Sequence, residues 1–243
     1  LAARLPRYFD VLAEFSDVEV KRLQAVLSWL ESHPRSNLYP RQLPIAGLDS
    51  KWLEARKSIV SDLIDGIADA TSCSPATDVP ADIDTARQDF YAVCGLRPLP
   101  MIVRLLVLDP DLRQRINGFR DIAIPVDELA LATLPAKRCY IVENAQSALA
   151  FDDLPGSIVI MGLGYGVDVL SRVAGLRHCE CIYWGDIDTH GFAILNRART
   201  YLPHIRSIMM DEETLLKHRT LWSTEPDQAS AGDLPNLTSS EHE

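Results

Sequence analysis

Two carboxylates one residue apart, Asp186 and Asp188, close the apolar run Ile182-Tyr183-Trp184-Gly185 and stand just ahead of His190 and Gly191. Side chains of a strand alternate faces with a period of two, so Asp186 and Asp188 are expected on one side of the strand end. Gly185 and Gly191 bracket the pair and allow a tight exit and a close approach of backbone or phosphate. At ~4 Å and an effective dielectric of ~20, two such charges repel by about 4 kcal/mol, a penalty that a bound divalent metal would reverse.

A third acid stands at the end of another short apolar strand, Cys139-Tyr140-Ile141-Val142-Glu143, and residues 144–151 have helical composition. Ligands of open α/β sheets sit beyond the carboxyl ends of strands, so Glu143, Asp186 and Asp188 can share one site if their strands are neighbours. The structural alternative is that Glu143 caps its helix and the Asp-x-Asp is a solvated turn. Glu at one strand end and Asp-x-Asp two strands later resembles the Toprim domain, the metal-dependent core of topoisomerases, primases and some nucleases. Between them, Ser157 to Met161 leads into Gly162-Leu163-Gly164-Tyr165-Gly166 and a helix near Val167. Such a loop can offer backbone amides to a phosphate, with Gly164 and Gly166 as the candidates, or serve as a plain turn. The dinucleotide fingerprint fails because the third glycine comes one place early, and a Walker lysine is absent.

The elements that position these residues alternate. Strands are expected at about 139–143, 157–162, 180–186 and 204–209, with helices near 145–152, 167–175, 190–201 and 212–218, which describes a parallel sheet flanked by helices. Asp211 and Glu212 suit the first turn of the last helix. Upstream, residues 1–72 read as a helical, winged-helix-like region: Ser16 and Glu19 have capping-box spacing before one helix, and a second runs from about Asp49 to Asp69. Lys51, Arg56 and Lys57 there either meet phosphate or form a solvated face. Residues 73–137 are expected to form a linker, centred on Thr71 to Asp84, and a connecting region. That region would hold a helix at Ala86 to Cys94, strands at Met101 to Leu108 and Phe119 to Ile124 with a turn at Asn117-Gly118, and a helix at Asp127 to Ala132. Residues 138–222 form the catalytic domain of this reading, and 223–243, rich in Ser, Asp, Glu, Pro and Asn, a mobile tail or truncated element.

The 243 residues are 47% hydrophobic and 24% charged, an ordinary globular composition, and no apolar run approaches the length of a membrane span or a signal peptide. A net charge of −10 argues against an autonomous high-affinity DNA binder, so partners or missing segments are expected to supply much of any DNA grip. The 5 cysteines lack Cys-x-x-Cys spacing and suit a reducing cytoplasm. Leu1 falls in a helical segment, so a preceding N-terminal stretch is expected.

The resemblance becomes specific in three runs: Val142-Glu143-Asn144, Gly162 to Asp168, and Tyr183 to Leu195, together with upstream Arg41 to Ile45 and Lys51 to Glu54. Gly164-Tyr165 with Asp168 is similar to the Gly-Tyr-Pro-Asp segment of topoisomerase VI A subunits. The whole set, from about Pro34 to Trp222, resembles the JetD family, nuclease subunits of bacterial Wadjet anti-plasmid systems. One departure stands out, because Ala145 and Ser147 occupy places where that family is expected to carry a second acid and an asparagine.

The resemblance implies a Mg²⁺-dependent DNA endonuclease, with Mn²⁺ as a substitute, in which Glu143, Asp186 and Asp188 hold the metal. It also implies a homodimer cutting plasmid DNA beside a condensin-like SMC complex with kleisin and accessory subunits. His190 is either a proton donor or a helix-start residue. Water is the expected nucleophile, since Tyr8, Tyr39 and Tyr91 lack a catalytic context. The rivals are a Toprim scaffold with an idle metal site, a tyrosine transesterase, and a nucleotide-binding α/β enzyme.

Overall fold

The computed structural model describes residues 4–71, 90–133, 135–230 and 232–242. The chain divides into two compact units, Leu1–Leu99 and Pro100–Glu243. Most of the expected linker, from residue 72 to 84, and the first part of the helix expected at 86–94 lie outside the described residues; residues 90–93 are helical.

The first unit is helical, with no strand among its described residues. Ser16 and Glu19 form the reciprocal capping box that starts α1 (Asp17–Ser32). Its buried Leu23, Val26 and Leu30 share a core with Ile59, Val60 and Leu63 of α2 (Lys57–Thr71). The long helix expected from Asp49 is broken, because the backbone tightens where Arg56 N–H bonds Leu53 O, separating a short helix at Ser50–Glu54 from α2. Arg56 there pairs with Glu19 at 2.6 Å and its guanidinium lies 4.7 Å from the centre of the Trp52 ring. Lys57 donates to the Tyr91 hydroxyl at 3.2 Å. Of the three cations offered for phosphate, these two are therefore engaged within the unit, and Lys51 is exposed.

The second unit is built on a sheet of six strands in the order β2-β1-β4-β3-β5-β6. These are β1 (Ile102–Val107), β2 (Asp121–Pro125), β3 (Arg138–Val142), β4 (Ser157–Met161), β5 (Glu180–Trp184) and β6 (Arg206–Ser207). The last four run parallel, and β1 is antiparallel to both of its neighbours. This is the α/β, Toprim-like sheet expected, but β1 and β2, assigned to a connecting region, belong to it. Their side chains complete the core: Val103, Leu105 and Val107 of β1 pack with Ile158 and Ile160 of β4.

Helices fill both faces, which is why the parallel strands read as continuous apolar runs. After β1 comes α3 (Pro110–Arg115), after β2 α4 (Val126–Leu131), after β3 α5 (Ala145–Leu149), after β5 α6 (Thr189–Tyr201), and after β6 α7 (Glu212–Lys217). Ile194, Leu195 and Ala198 of α6 enter the larger core, whereas Ala148 of α5 enters a second cluster with Leu106, Val142 and Met161 on the opposite face. The helix expected at 167–175 is instead two 3-10 segments, Gly164–Arg172 and Ala174–His178. β6 is shorter than expected because the chain turns away at Met209, whose φ of 55° lies in the left-handed region.

The stretch expected to be a mobile tail or truncated element makes contacts with α6. Arg199 of α6 donates to both oxygens of Glu241 at 2.5 and 2.9 Å, with both side chains buried, and Asn236 donates to Asn196. Among the described residues no helix is long and apolar enough to cross a membrane.

Candidate functional site

β3 and β5 are hydrogen-bonded neighbours, with Val142 opposite Trp184, so the two acid-bearing ends lie side by side. The ladder runs one residue further, since Glu143 N–H donates to Trp184 O at 3.0 Å. From β3 the chain passes to β4 on one side, and from β5 to β6 on the other, with α5 and α6 on opposite faces of the sheet. A crevice must open where connections diverge in this way, beyond the strands' carboxyl ends, and that is where α/β sheets bind ligands.

Each acid is placed by a different device. Asn144, not Glu143, caps α5, its side chain accepting from Gln146 N–H at 2.8 Å, so Glu143 is spared for the crevice. Glu143 Oε2 accepts the hydroxyl of the buried Tyr183 at 3.2 Å. Burial holds its carboxyl above the ordinary glutamate range, and the charges of Asp186 and Asp188 add to this, against the Tyr183 hydroxyl and the Asp186 amide. Asp188 Oδ1 accepts from Gly191 N–H at 2.7 Å and caps α6, so the capping role falls on this residue while its second oxygen stays available. Asp186 is exposed and carries the third carboxylate.

The strand argument for the pair needs correction. β5 stops at Trp184, so Asp186 and Asp188 stand in the loop that follows. Their placement comes from the glycines. A Cβ on Gly185 would lie 2.8 Å from both Glu143 Oε2 and the Tyr183 hydroxyl oxygen, and one on Gly191 would lie 2.1 Å from the Asp186 carbonyl oxygen. The loop can fold tightly against Glu143 and α6 because neither position has a side chain.

Both ring nitrogens of His190 have partners. Its Nε2 bonds the Asp227 carbonyl at 2.9 Å, which can only accept, so Nε2 carries the hydrogen. In the neutral ring Nδ1 then accepts the Tyr165 hydroxyl at 2.7 Å. With both nitrogens engaged, the imidazole links the glycine loop, the start of α6 and the C-terminal segment. Tyr165 is the residue the sequence reading passed over. Burial, then the charges of Asp188, Glu143 and Glu225, raise its phenol above the usual range, which places it in the field of the acids. Its run, Gly164-Tyr165, was the available signal.

The glycine loop serves mainly as a turn. Gly162 and Gly164 have φ of 69° and 49°, and Gly166 N–H is spent on Leu163 O at 2.9 Å. A Cβ at Gly166 would meet nothing within 4 Å, and its φ of −76° needs no glycine, so packing and turn geometry leave this residue unexplained. Asp211 caps α7 through Thr214 N–H at 2.8 Å, as the sequence suggests.

Three carboxylates, one just after β3 and two in the loop after β5, are the donor chemistry of a hard cation such as Mg²⁺. Among the described residues, no three His, Cys, Asp or Glu side chains stand close enough as posed to hold a metal ion. The donor types and charge fit such an ion; sharing one requires these side chains to draw closer. The first turn of α5 supplies no acid, in keeping with Ala145 and Ser147.

Two family models match the chain. One, described as Wadjet protein JetD, C-terminal, covers residues 95–243, and the other, described as an uncharacterized protein conserved in bacteria, N-terminal, covers residues 1–65. No curated protein matches it.

Proposed function

The chain belongs to the family of the Wadjet protein JetD, and from that membership we propose that it is a metal-dependent DNA endonuclease, the cutting subunit of a Wadjet anti-plasmid system. The observation that carries the reading is the meeting of Glu143 with the Asp186 to Asp188 loop on adjacent strand ends at the divergence of the sheet. A scaffold has no need to concentrate negative charge there.

In this mechanism Glu143, Asp186 and Asp188 would hold Mg²⁺, or Mn²⁺ in its place. Bound there, the ion would supply Lewis-acid polarisation of a phosphodiester, orientation of the attacking water and neutralisation of the leaving oxygen. The protein's own part is positioning. Tyr183 keeps Glu143 turned into the crevice, and the α6 cap keeps Asp188 from swinging away. The His190 link holds the C-terminal segment beside the acids. The partners of this reading are plasmid DNA, a second copy of the chain so that both strands are cut, and condensin-like SMC, kleisin and accessory subunits. The net charge of −10 supports dependence on such partners for DNA grip. The four described cysteines are unpaired, which supports a cytoplasmic setting.

The test is plasmid cleavage with and without the SMC partners. Glu143→Ala and Asp186→Ala are expected to abolish Mg²⁺-dependent cutting while the protein stays folded. Full cutting by both variants would sink the assignment. Calorimetric titration with Mg²⁺ or Mn²⁺ separates the nuclease from an idle scaffold, which would show no heat dependent on Asp186.

One observation favours a second route. The Tyr165 hydroxyl already points its proton at His190 Nδ1, the arrangement of a nucleophile beside a base. Attack by Tyr165 oxygen on phosphorus would pass that proton to His190, break the bond from phosphorus to the leaving sugar oxygen, which takes a proton from water, and leave a phosphotyrosyl link. A tyrosine-linked product that vanishes in Tyr165→Phe would establish this route over hydrolysis.

A further inference from the structure

A groove of about 960 Å³ runs beside the acids, with Trp184 to Asp188 on one wall and Leu215, His218 and Leu221 to Pro226 on the other. Its size is that of clefts that enclose small ligands. The second wall presents apolar surface to water: Trp222 is 54% exposed and Leu221 77%. The indole is nevertheless fixed. Its N–H donates to the Leu215 carbonyl at 2.9 Å, and the Arg219 guanidinium lies over one face of the ring, 5.8 Å from its centre, leaving the other face for a ligand. His218 lines the same wall.

That wall is tied to the start of α6. Thr189 donates to Glu225 through its hydroxyl at 2.8 Å and its amide at 3.2 Å, and Ala229 N–H donates back to the Thr189 hydroxyl at 2.7 Å. The aromatic face and the acids therefore line one groove at a separation the fold maintains.

The groove has three chemical parts. Carboxylates at one wall suit a cation and the phosphate it neutralises. A rigid aromatic face suits a nucleobase, because every base has a π-face and stacks with little regard to sequence. His218, on the same wall, suits a hydrogen bond to the next phosphate. A base paired within a duplex shows only its edges and cannot lie on an indole, whereas an unstacked one can.

This inference rests on the nuclease reading, since it names the form of DNA that the same site takes. We propose that the groove receives one unstacked nucleotide adjoining the scissile phosphate, its base on Trp222 and its neighbouring phosphate at His218. The site thereby selects locally unpaired DNA over relaxed duplex.

The test measures binding of a short fluorescein-labelled single strand and its matching duplex by fluorescence anisotropy, with Ca²⁺ replacing Mg²⁺, in the full chain. Wild type is expected to favour the single strand. Trp222→Ala should weaken that binding roughly five- to a hundredfold, Trp222→Phe should retain most of it, and His218→Ala should weaken it by a smaller factor. Should the alanine variant fail to fold, Trp222→Leu keeps apolar bulk without the stacking face and carries the same expectation. Equal affinity for duplex, unchanged affinity in a folded Trp222→Ala or Trp222→Leu, or no binding of either DNA at low salt overturns the proposal and gives the groove to another occupant. The two readings fail separately. Binding through Trp222 by a protein that never cuts refutes the nuclease and keeps the groove; cutting that depends on Asp186 but not on Trp222 does the reverse.

Discussion

The Tyr183 hydroxyl donates to Glu143 Oε2 at 3.2 Å, so a buried side chain of β5 aims the acid that ends β3. The bond joins neighbouring strands whose residues are 40 apart in sequence. Removing it in Tyr183→Phe leaves the ring packed and frees the carboxylate. The expected cost is about 1–2 kcal/mol of stability, seen by denaturant titration, and weaker Mg²⁺ binding by calorimetry. Unchanged metal affinity would show that the hydroxyl does not position Glu143.

Gly185 tests the same contact from the loop. Its missing side chain leaves room for Glu143 and Tyr183, both of which a Cβ would approach to 2.8 Å. Gly185→Ala is expected to displace the Glu143 carboxylate and lose metal-dependent cutting with a moderate fall in Tm. Gly191→Ala, meeting backbone at 2.1 Å, must move the loop itself and is expected to be the more destabilising of the two.

The two aspartates should separate by readout. Asp188 caps α6, so Asp188→Ala costs about 1 kcal/mol of stability, while Asp188→Asn keeps the cap. Asp186 is exposed and caps nothing, so Asp186→Ala leaves stability within about 0.5 kcal/mol of the parent. All three are expected to lose Mg²⁺-dependent heat. Equal destabilisation by the two alanine variants would contradict the division of labour.

Gly166→Ala asks whether a ligand approaches the glycine loop. No neighbour lies within 4 Å of the added Cβ, and the backbone there is ordinary, so the change in stability should stay within about 0.5 kcal/mol. A fall in cleavage by this variant at unchanged Tm would mark a substrate contact. Full activity would leave the loop as a turn.

The C-terminal segment is expected to loosen in acid. Burial pushes the Glu241 carboxyl up, but hydrogen bonds from Arg199, Ser207 and Thr238 outweigh it and hold the group at about 2, against an ordinary 4.5. A lowered folded value means stability present above 4.5 and lost as pH falls toward 2, on the order of 3 kcal/mol in all. Denaturant titrations between pH 5 and 2 should show that loss, and Glu241→Gln should flatten it. Glu241→Ala at neutral pH strands a buried Arg199 and is expected to cost about 3–5 kcal/mol.

The sequence by itself determined the existence of β3, β4 and β5, because strands buried on both faces must be continuously apolar, and it determined which acids end them. It also determined the start of α1, since Ser16 and Glu19 satisfy each other's backbone within one turn. Local chemistry of that kind is written in adjacent residues.

What only the tertiary structure decided depends on partners far away in the chain. That β3 and β5 lie side by side, with β4 outside them, is a matter of strand order, which no periodicity encodes. The end of β5 at Trp184 and the short β6 follow from the packing of the loops beyond them, not from propensity. The C-terminal segment looked mobile because its polar residues have no core of their own. It is ordered through Glu225, Asn236 and Glu241, whose partners Thr189, Asn196 and Arg199 all sit on α6. His190 was read from its place beside the acids, but its hydrogen-bond partners, Tyr165 and Asp227, lie one 25 residues before it and the other 37 after. A hydrogen bond needs its two atoms within about 3 Å, and only the folded chain brings such distant residues that close.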